Sequence, residues 1–136
     1  MTNQRCVKAC LDVIAACEEA MVPWILGNPA GSLIWTQNDI LQLKDLPHVS
    51  LVGCETCMYG VPWRASLSFL CSHCDDSELL RLSKRCCRRG GICERTLRRH
   101  KMVERNAYHY SVKLIDDLVY CLLSRARTSM DVARFG

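Results

Sequence analysis

Cysteine is the residue that most constrains how this chain can fold, because it occurs eleven times in 136 residues. This density approaches that of small secreted domains held together by disulfides. The first helical stretch, however, carries Asp12, Glu18 and Glu19 and lacks the uninterrupted apolar core of a secretory signal. We therefore expect an intracellular protein, nuclear or cytoplasmic, whose cysteines are free core residues or metal ligands.

The overall composition is that of a globular protein, with 49% hydrophobic and 24% charged residues. The longest apolar runs lie near Met21 to Leu26 and Leu118 to Leu123, far short of the roughly 20 residues that a membrane span requires. The sequence therefore predicts a single domain without a membrane partner.

Hydrophobic periodicity predicts helices alternating with strands, as in an α/β layer. Helices are expected near residues 4–21, 32–35, 40–43, 75–85 and 111–126, and strands near 22–26, 49–52 and 67–70. Asp75, Asp76 or Ser77 can cap the fourth helix. In the first helix, Cys6, Cys10 and Cys17 fall on the apolar stripe, where buried thiols without a chemical role are expected.

Cysteines and one histidine in the second half have the composition of a zinc site. Cys71 and Cys74 form a Cys-x-x-Cys pair, followed by Cys86, Cys87, Cys93 and His100. Because zinc prefers four tetrahedral sulfur or nitrogen ligands, the predicted ligands are Cys74, Cys93 and His100 with Cys86 or its neighbour Cys87. The spacing matches no standard zinc finger. The alternative is therefore that these cysteines are core residues and that His100 is solvated.

Basic charge is concentrated in one segment of the chain. Residues 81–105 contain ten Lys or Arg against Glu94 and Glu104, a net charge of +8, whereas the whole chain carries +4. The positions expected to contact phosphates are Arg88, Arg89, Arg95, Arg98, Arg99 and Lys101. DNA or another nucleic acid is thus a predicted partner, and the alternative is a solvated surface. With only Tyr108 and Tyr110 nearby, base stacking is not indicated.

Two loops resemble motifs of the cytosine-5 DNA methyltransferases. Residues 26–35, Leu-Gly-Asn-Pro-Ala-Gly-Ser-Leu-Ile-Trp, are similar to the strand end that carries Glu-Asn in that family, and residues 59–64, Tyr-Gly-Val-Pro-Trp-Arg, are similar to a later turn. The matching positions are Asn28, Pro29, Tyr59, Gly60, Pro62 and Arg64. The resemblance implies the later half of a Rossmann-like catalytic domain. It also implies that the strands at Leu26 and Leu51 are parallel and adjacent.

The chain differs from that family at the positions that perform catalysis and bind the cofactor. In the family the nucleophile is a cysteine that directly follows a proline, but none of the four prolines of this chain is followed by cysteine. Gly27 stands where the family has an acidic residue. No glycine-rich turn for S-adenosylmethionine is found. The resemblance therefore implies no catalytic residues and no methyl transfer by the isolated chain. S-adenosylmethionine would bind only if a complementary polypeptide supplied the cofactor half.

Two interpretations of function follow. The first is an incomplete Rossmann-like methyltransferase fragment, with an α/β segment at residues 1–70 and, in the same domain, a basic Cys/His segment and terminal helix at 71–136. It would be inactive and retain weak nucleic-acid binding. The second is a small zinc-stabilised basic module that binds nucleic acid or another partner and has no enzymatic ancestry. Zinc is the one cofactor considered for the isolated chain, and unfolding on chelation would favour the second interpretation.

Overall fold

A computed structural model describes residues 4–86, 92–93, 95–101 and 110–135, with side chains up to residue 123. The helices are α1 (Gln4–Glu19), α2 (Asn38–Lys44), α3 (Asp76–Leu82) and α4 (Val112–Phe135), and the strands are β1 (Ile25–Pro29), β2 (Val49–Glu55) and β3 (Ser66–Ser72). Single 3-10 turns, Leu33–Thr36 and Thr56–Tyr59, follow β1 and β2. Among the described helices, none combines the length and apolarity needed to cross a membrane. The expected mixture of helices and strands is confirmed.

The three strands form one antiparallel sheet in the order β1-β3-β2. β3 lies between the other two, with Ile25 opposite Cys71 and Val49 opposite Ser72. β1 and β2 therefore run in the same direction without pairing, and the prediction that they are adjacent is wrong. The link from β2 to β3, residues 56–65, holds only a 3-10 turn and is too short for the crossover that a parallel neighbour requires. The neighbouring parallel strands of a Rossmann-like sheet are thus not seen in the described chain.

Apolar side chains cover both faces of β3. On one face, Leu67 and Phe69 belong to a buried cluster with Leu114 of α4. On the other face, Leu70 belongs to a second cluster with Ile14 of α1. Side chains alternate across a strand, so a central strand with helices on both sides carries buried residues on both of its faces. The result is a small three-layer core.

The buried face of α1 differs from the predicted stripe. Ile14 is the buried residue of this helix, and the side chains packed around it include Val7, Leu11 and Cys17. Cys6 is exposed and Cys10 is half-buried. Apolar residues at spacings of three and four occur on two neighbouring stripes, so periodicity alone did not identify the correct one. The expectation of a buried thiol is wrong for Cys6.

A buried carboxylate joins α4 to the end of α3. Asp117 Oδ1 lies 2.8 Å from Arg81 Nε, and Oδ2 lies 3.1 Å from Lys84 Nζ. Burial favours a raised pKa, but hydrogen bonds from Arg81, Lys84 and Tyr59 outweigh it and hold the pKa of Asp117 below its usual range. The carboxylate therefore stays charged, and it connects two helices that are distant in sequence.

We expect Asp117→Asn to lower the free energy of unfolding by about 1–3 kcal/mol, because two cations lose a desolvated partner but remain partly screened by water. Because the folded-state pKa of Asp117 is lowered, its contribution is present above the unfolded pKa and is lost as pH falls through the folded one. Urea unfolding of wild type and D117N should therefore converge between about pH 5 and pH 2. Asp116→Asn, at an exposed neighbour, is the control and should leave stability unchanged.

Gly27 of β1 lies directly opposite Phe69 of β3. A Cβ atom at this position would overlap the Tyr110 hydroxyl and would lie 2.7 Å from the Phe69 ring. The two rings pack edge to face with centroids 5.9 Å apart, so together they cover the glycine backbone. Glycine is favoured here because any larger residue would have to displace these rings. The acidic side chain that the methyltransferase family has at this position would have no room.

Candidate metal centre

Four side chains with metal-binding atoms meet beyond the end of β2. They are Cys57, Cys86, Cys93 and His100, and their ligand atoms all lie within 4.8 Å of one another. Cys86 Sγ and His100 Nε2 are 3.5 Å apart. Zinc bonds of about 2.3 Å to sulfur and 2.0 Å to nitrogen would place tetrahedral ligand atoms about 3.5–3.8 Å apart. The group can therefore hold a metal ion such as zinc after a shift of about 1 Å.

The turn that follows β2 positions Cys57. This buried residue lies in the 3-10 turn Thr56–Tyr59, which ends at Gly60 with a φ of +93°. The last residue of β2, Glu55, is 1% exposed and lies 3.1 Å from Arg64 Nη2 and 3.2 Å from Arg85 Nη1. Because Arg85 directly precedes Cys86, its ion pair with the buried Glu55 also holds the second ligand near the first.

Cys93 and His100 lie on either side of a tight turn. The Cys93 N–H donates to the Arg98 carbonyl at 2.8 Å, which closes the turn. The Lys101 N–H donates to the Pro62 carbonyl at 2.8 Å, which connects the turn to the loop after β2. These two backbone bonds bring the third and fourth ligands to the first pair.

The environment of Cys93 favours its thiolate form. Burial acts to raise the pKa, but hydrogen bonds from the backbone and side chain of Thr96 and from the backbone of Arg95 outweigh it and lower the pKa of Cys93 to about 6. Burial, together with hydrogen bonds to Cys93 and Cys86, raises the pKa of Cys57. A cation at this point would neutralise one thiolate and replace the protons of the other thiols, as metal binding to cysteine requires.

Three of the four predicted metal ligands come together, and the fourth does not. Cys86, Cys93 and His100 are in the group, where Cys57 takes the position expected for Cys74. Cys74 packs instead against the core cluster that contains Cys71, to which it is hydrogen-bonded. Cys74 follows the end of β3, which pairs with the start of β2, whereas Cys57 follows the end of β2. Cys87 lies outside the described residues.

Sequence reasoning missed Cys57, although a signal for it is present. Cys54 and Cys57 form a second Cys-x-x-Cys pair. The strand ends between them, so their thiols enter different environments. Cys54 lies in the core cluster, where burial raises its pKa to about 12. Neither Cys-x-x-Cys pair is therefore a two-ligand unit.

Most of the basic residues expected to contact phosphates lie close in the sequence to the ligands of this centre. The four described ones, Arg95, Arg98, Arg99 and Lys101, are exposed, and Arg88 and Arg89 lie outside the described residues. None of the four forms an ion pair with another residue that the structure describes. Other cations of the same segment are engaged in the fold, since Arg81 and Lys84 bind Asp117 and Arg85 binds Glu55.

The positions that resemble methyltransferase motifs all have roles in the fold. Asn28 and Pro29 are in β1, Tyr59 is buried, Gly60 ends a turn, Pro62 accepts a bond from Lys101, and Arg64 binds Glu55. Packing and hydrogen bonding account for these residues, and the resemblance itself stays a prediction. Comparison with protein-family models, curated proteins and solved structures finds no match to the chain.

Proposed function

We propose that this protein is a small zinc-stabilised module that binds nucleic acid through the basic surface beside its metal centre. The observation that carries the proposal is the convergence of Cys57, Cys86, Cys93 and His100 within 4.8 Å. Three thiols and one imidazole make a complete tetrahedral set, typical of structural zinc. Calcium and magnesium prefer oxygen ligands, so this donor set disfavours them.

The metal would also determine where the basic surface lies. Arg95, Arg98 and Arg99 come between Cys93 and His100 in the chain, and Lys101 follows directly. With both ends of this segment bound to the same ion as Cys57 and Cys86, the segment is held against the rest of the protein. The four exposed cations, Arg95, Arg98, Arg99 and Lys101, then form a surface of fixed positive charge, which attracts phosphates.

The chemistry of this surface supports phosphate contacts rather than base recognition. One guanidinium group can bind two phosphate oxygens at once, and an ammonium group binds phosphate as a point charge. The nearest described tyrosine in the sequence, Tyr110, is well separated from Lys101 along the chain, and its ring packs edge to face against Phe69. We therefore expect binding with little sequence preference and a strong dependence on salt.

Lys101→Gln should reduce the magnitude of the slope of log K against log salt concentration by about 1, because one phosphate contact is lost. It should weaken binding to different sequences by the same factor. Fluorescence anisotropy with labelled duplex DNA and single-stranded RNA, repeated over a range of salt concentrations, measures both. The matched control is Lys44→Gln, because Lys44 is an exposed lysine at the end of α2.

A double variant extends this test. Arg98→Gln combined with Arg99→Gln removes two exposed charges and should reduce the slope by about 2. Zinc removal should weaken nucleic-acid binding in the wild type, because the cations lose their fixed arrangement. Identical slopes for K101Q, K44Q and wild type would contradict the proposed surface.

A further inference from the structure

A second group of metal-binding side chains lies at the other end of the sheet. Glu18 is in α1, His48 directly precedes β2, and His73 directly follows β3. One ligand atom from each residue lies within 4.8 Å of the other two. The first metal group lies beyond the opposite end of β2, so the two groups are separate.

The register of the sheet brings the two histidines together. Val49 pairs with Ser72, so His48 and His73 occupy the next position across the strand ends. The His73 N–H donates to the His48 carbonyl at 2.7 Å. Their rings stack with centroids 4.5 Å apart and planes inclined by 16°. Two imidazoles are thus presented side by side.

The carboxylate of Glu18 approaches this pair from α1. Its two oxygens lie 2.9 and 3.0 Å from His48 Nε2. Oε1 also accepts a hydrogen bond from the Trp24 indole at 2.8 Å, and the Trp24 backbone N–H donates to Ser72 Oγ at 2.8 Å. A hydrogen bond of this kind orients a carboxylate, as outer partners do around metal ligands.

His73 is one of three described residues other than glycine that have a positive φ, together with Met21 and Leu97. Its φ of +57° lies in the left-handed region, which glycine adopts freely and other residues rarely do. The side chain is nevertheless a histidine, and it is exposed. Strained positions of this kind concentrate at functional sites. Glycine would fit this backbone equally well, so the ring can be removed without straining the chain.

We propose that Glu18, His48 and His73 bind a divalent cation of borderline hardness, such as Zn²⁺ or Co²⁺. Two imidazoles and one carboxylate suit these ions and leave coordination positions open on the exposed side for water or a small anion. Bonds of about 2.1 Å would separate the ligand atoms by about 3.0–3.4 Å, close to the present distances between His48 and Glu18. The ion would replace the proton that these two side chains share.

Cobalt titration of the full chain tests this site, because thiolate ligands produce a near-ultraviolet charge-transfer band that imidazole and carboxylate do not. We expect the wild type to bind one Co²⁺ without such a band, in addition to any thiolate-bound ion. Glu18→Gln should weaken this binding at least as much as the loss of an outer partner does, about 10–100-fold. Glu19→Gln, at the exposed neighbouring carboxylate, is the matched control and should bind as the wild type does.

A second variant distinguishes loss of the ion from loss of the fold. His73→Gly removes the ring and suits the left-handed backbone, so circular dichroism should show a folded protein that has lost the ion. Cys93→Ser should abolish the thiolate band and leave this ion bound. If the wild type binds only the ion without a thiolate band, the inference stands and the zinc module proposed above fails. Equal affinity in wild type, E18Q and H73G, or no such ion in the wild type, would overturn the inference.

Discussion

Removal of zinc should lower the melting temperature of this protein by about 10–20 °C. An ion that binds only the folded chain stabilises it by about 4 kcal/mol when its free concentration is a thousandfold above Kd. Cys57 is distant in the sequence from the other three ligands, Cys86, Cys93 and His100, so an unfolded chain does not present the complete site. Thermal unfolding in reducing buffer, with and without a chelator, measures the shift.

Single substitutions show whether the shift arises at this centre. Cys57→Ser should abolish the difference between zinc-loaded and chelated protein, because serine does not replace a thiolate ligand. Cys6→Ser, at an exposed cysteine of α1, should retain the full difference. Both are best measured with Glu18→Gln also present, so that an ion at the second group does not contribute. A chelator shift that persists in C57S would contradict the proposed ligand set.

Gly27→Glu should destabilise the fold by about 3 kcal/mol or more, since it introduces a charge and a bulky side chain into a packed region. The new side chain would begin against the Tyr110 hydroxyl and the Phe69 ring. Gly27→Ala adds only a methyl group and should cost about 1–3 kcal/mol. Introducing the acidic residue that the methyltransferase motif carries is therefore expected to damage the fold. Chemical denaturation followed by circular dichroism gives both values.

Gly31 provides the matched control for this substitution. A Cβ atom there meets nothing within 4 Å, so Gly31→Ala and Gly31→Glu should have little effect. Tyr110→Phe removes the hydroxyl that the new Cβ would overlap, and it should recover part of the stability lost in G27A. Equal stability of G27E and G31E would show that the aromatic pair does not close over this strand.

Most elements of the fold were predictable because they depend on local features, but β1 was predicted at residues 22–26 and lies at Ile25–Pro29. Asp75 was one of three candidate caps for α3, and it forms a capping box with Glu78. The pairing of the strands was not predictable in the same way. β3 takes the central position through apolar residues on both of its faces, and a short apolar strand does not reveal its neighbours.

In the two candidate metal groups, too, contacts between residues close in the sequence were predictable and contacts between distant residues were not. Cys86, Cys93 and His100 could be grouped from the sequence because they are close together along the chain. Cys57 joins them only because the link between β2 and β3 folds beside the basic segment. His48 and His73 meet through sheet register, which depends on contacts between distant residues.

The central position of β3 also bears on the order in which the protein folds. β1 and β2 precede β3 in the chain, and within the described residues both form their ladders with β3 alone. During synthesis, neither strand has a partner until residues 66–72 have emerged from the ribosome. Closure of these long-range pairs is intrinsically slower than helix formation. Docking of β3 is therefore the event that assembles the sheet and creates, at its two ends, the frameworks of both candidate metal groups.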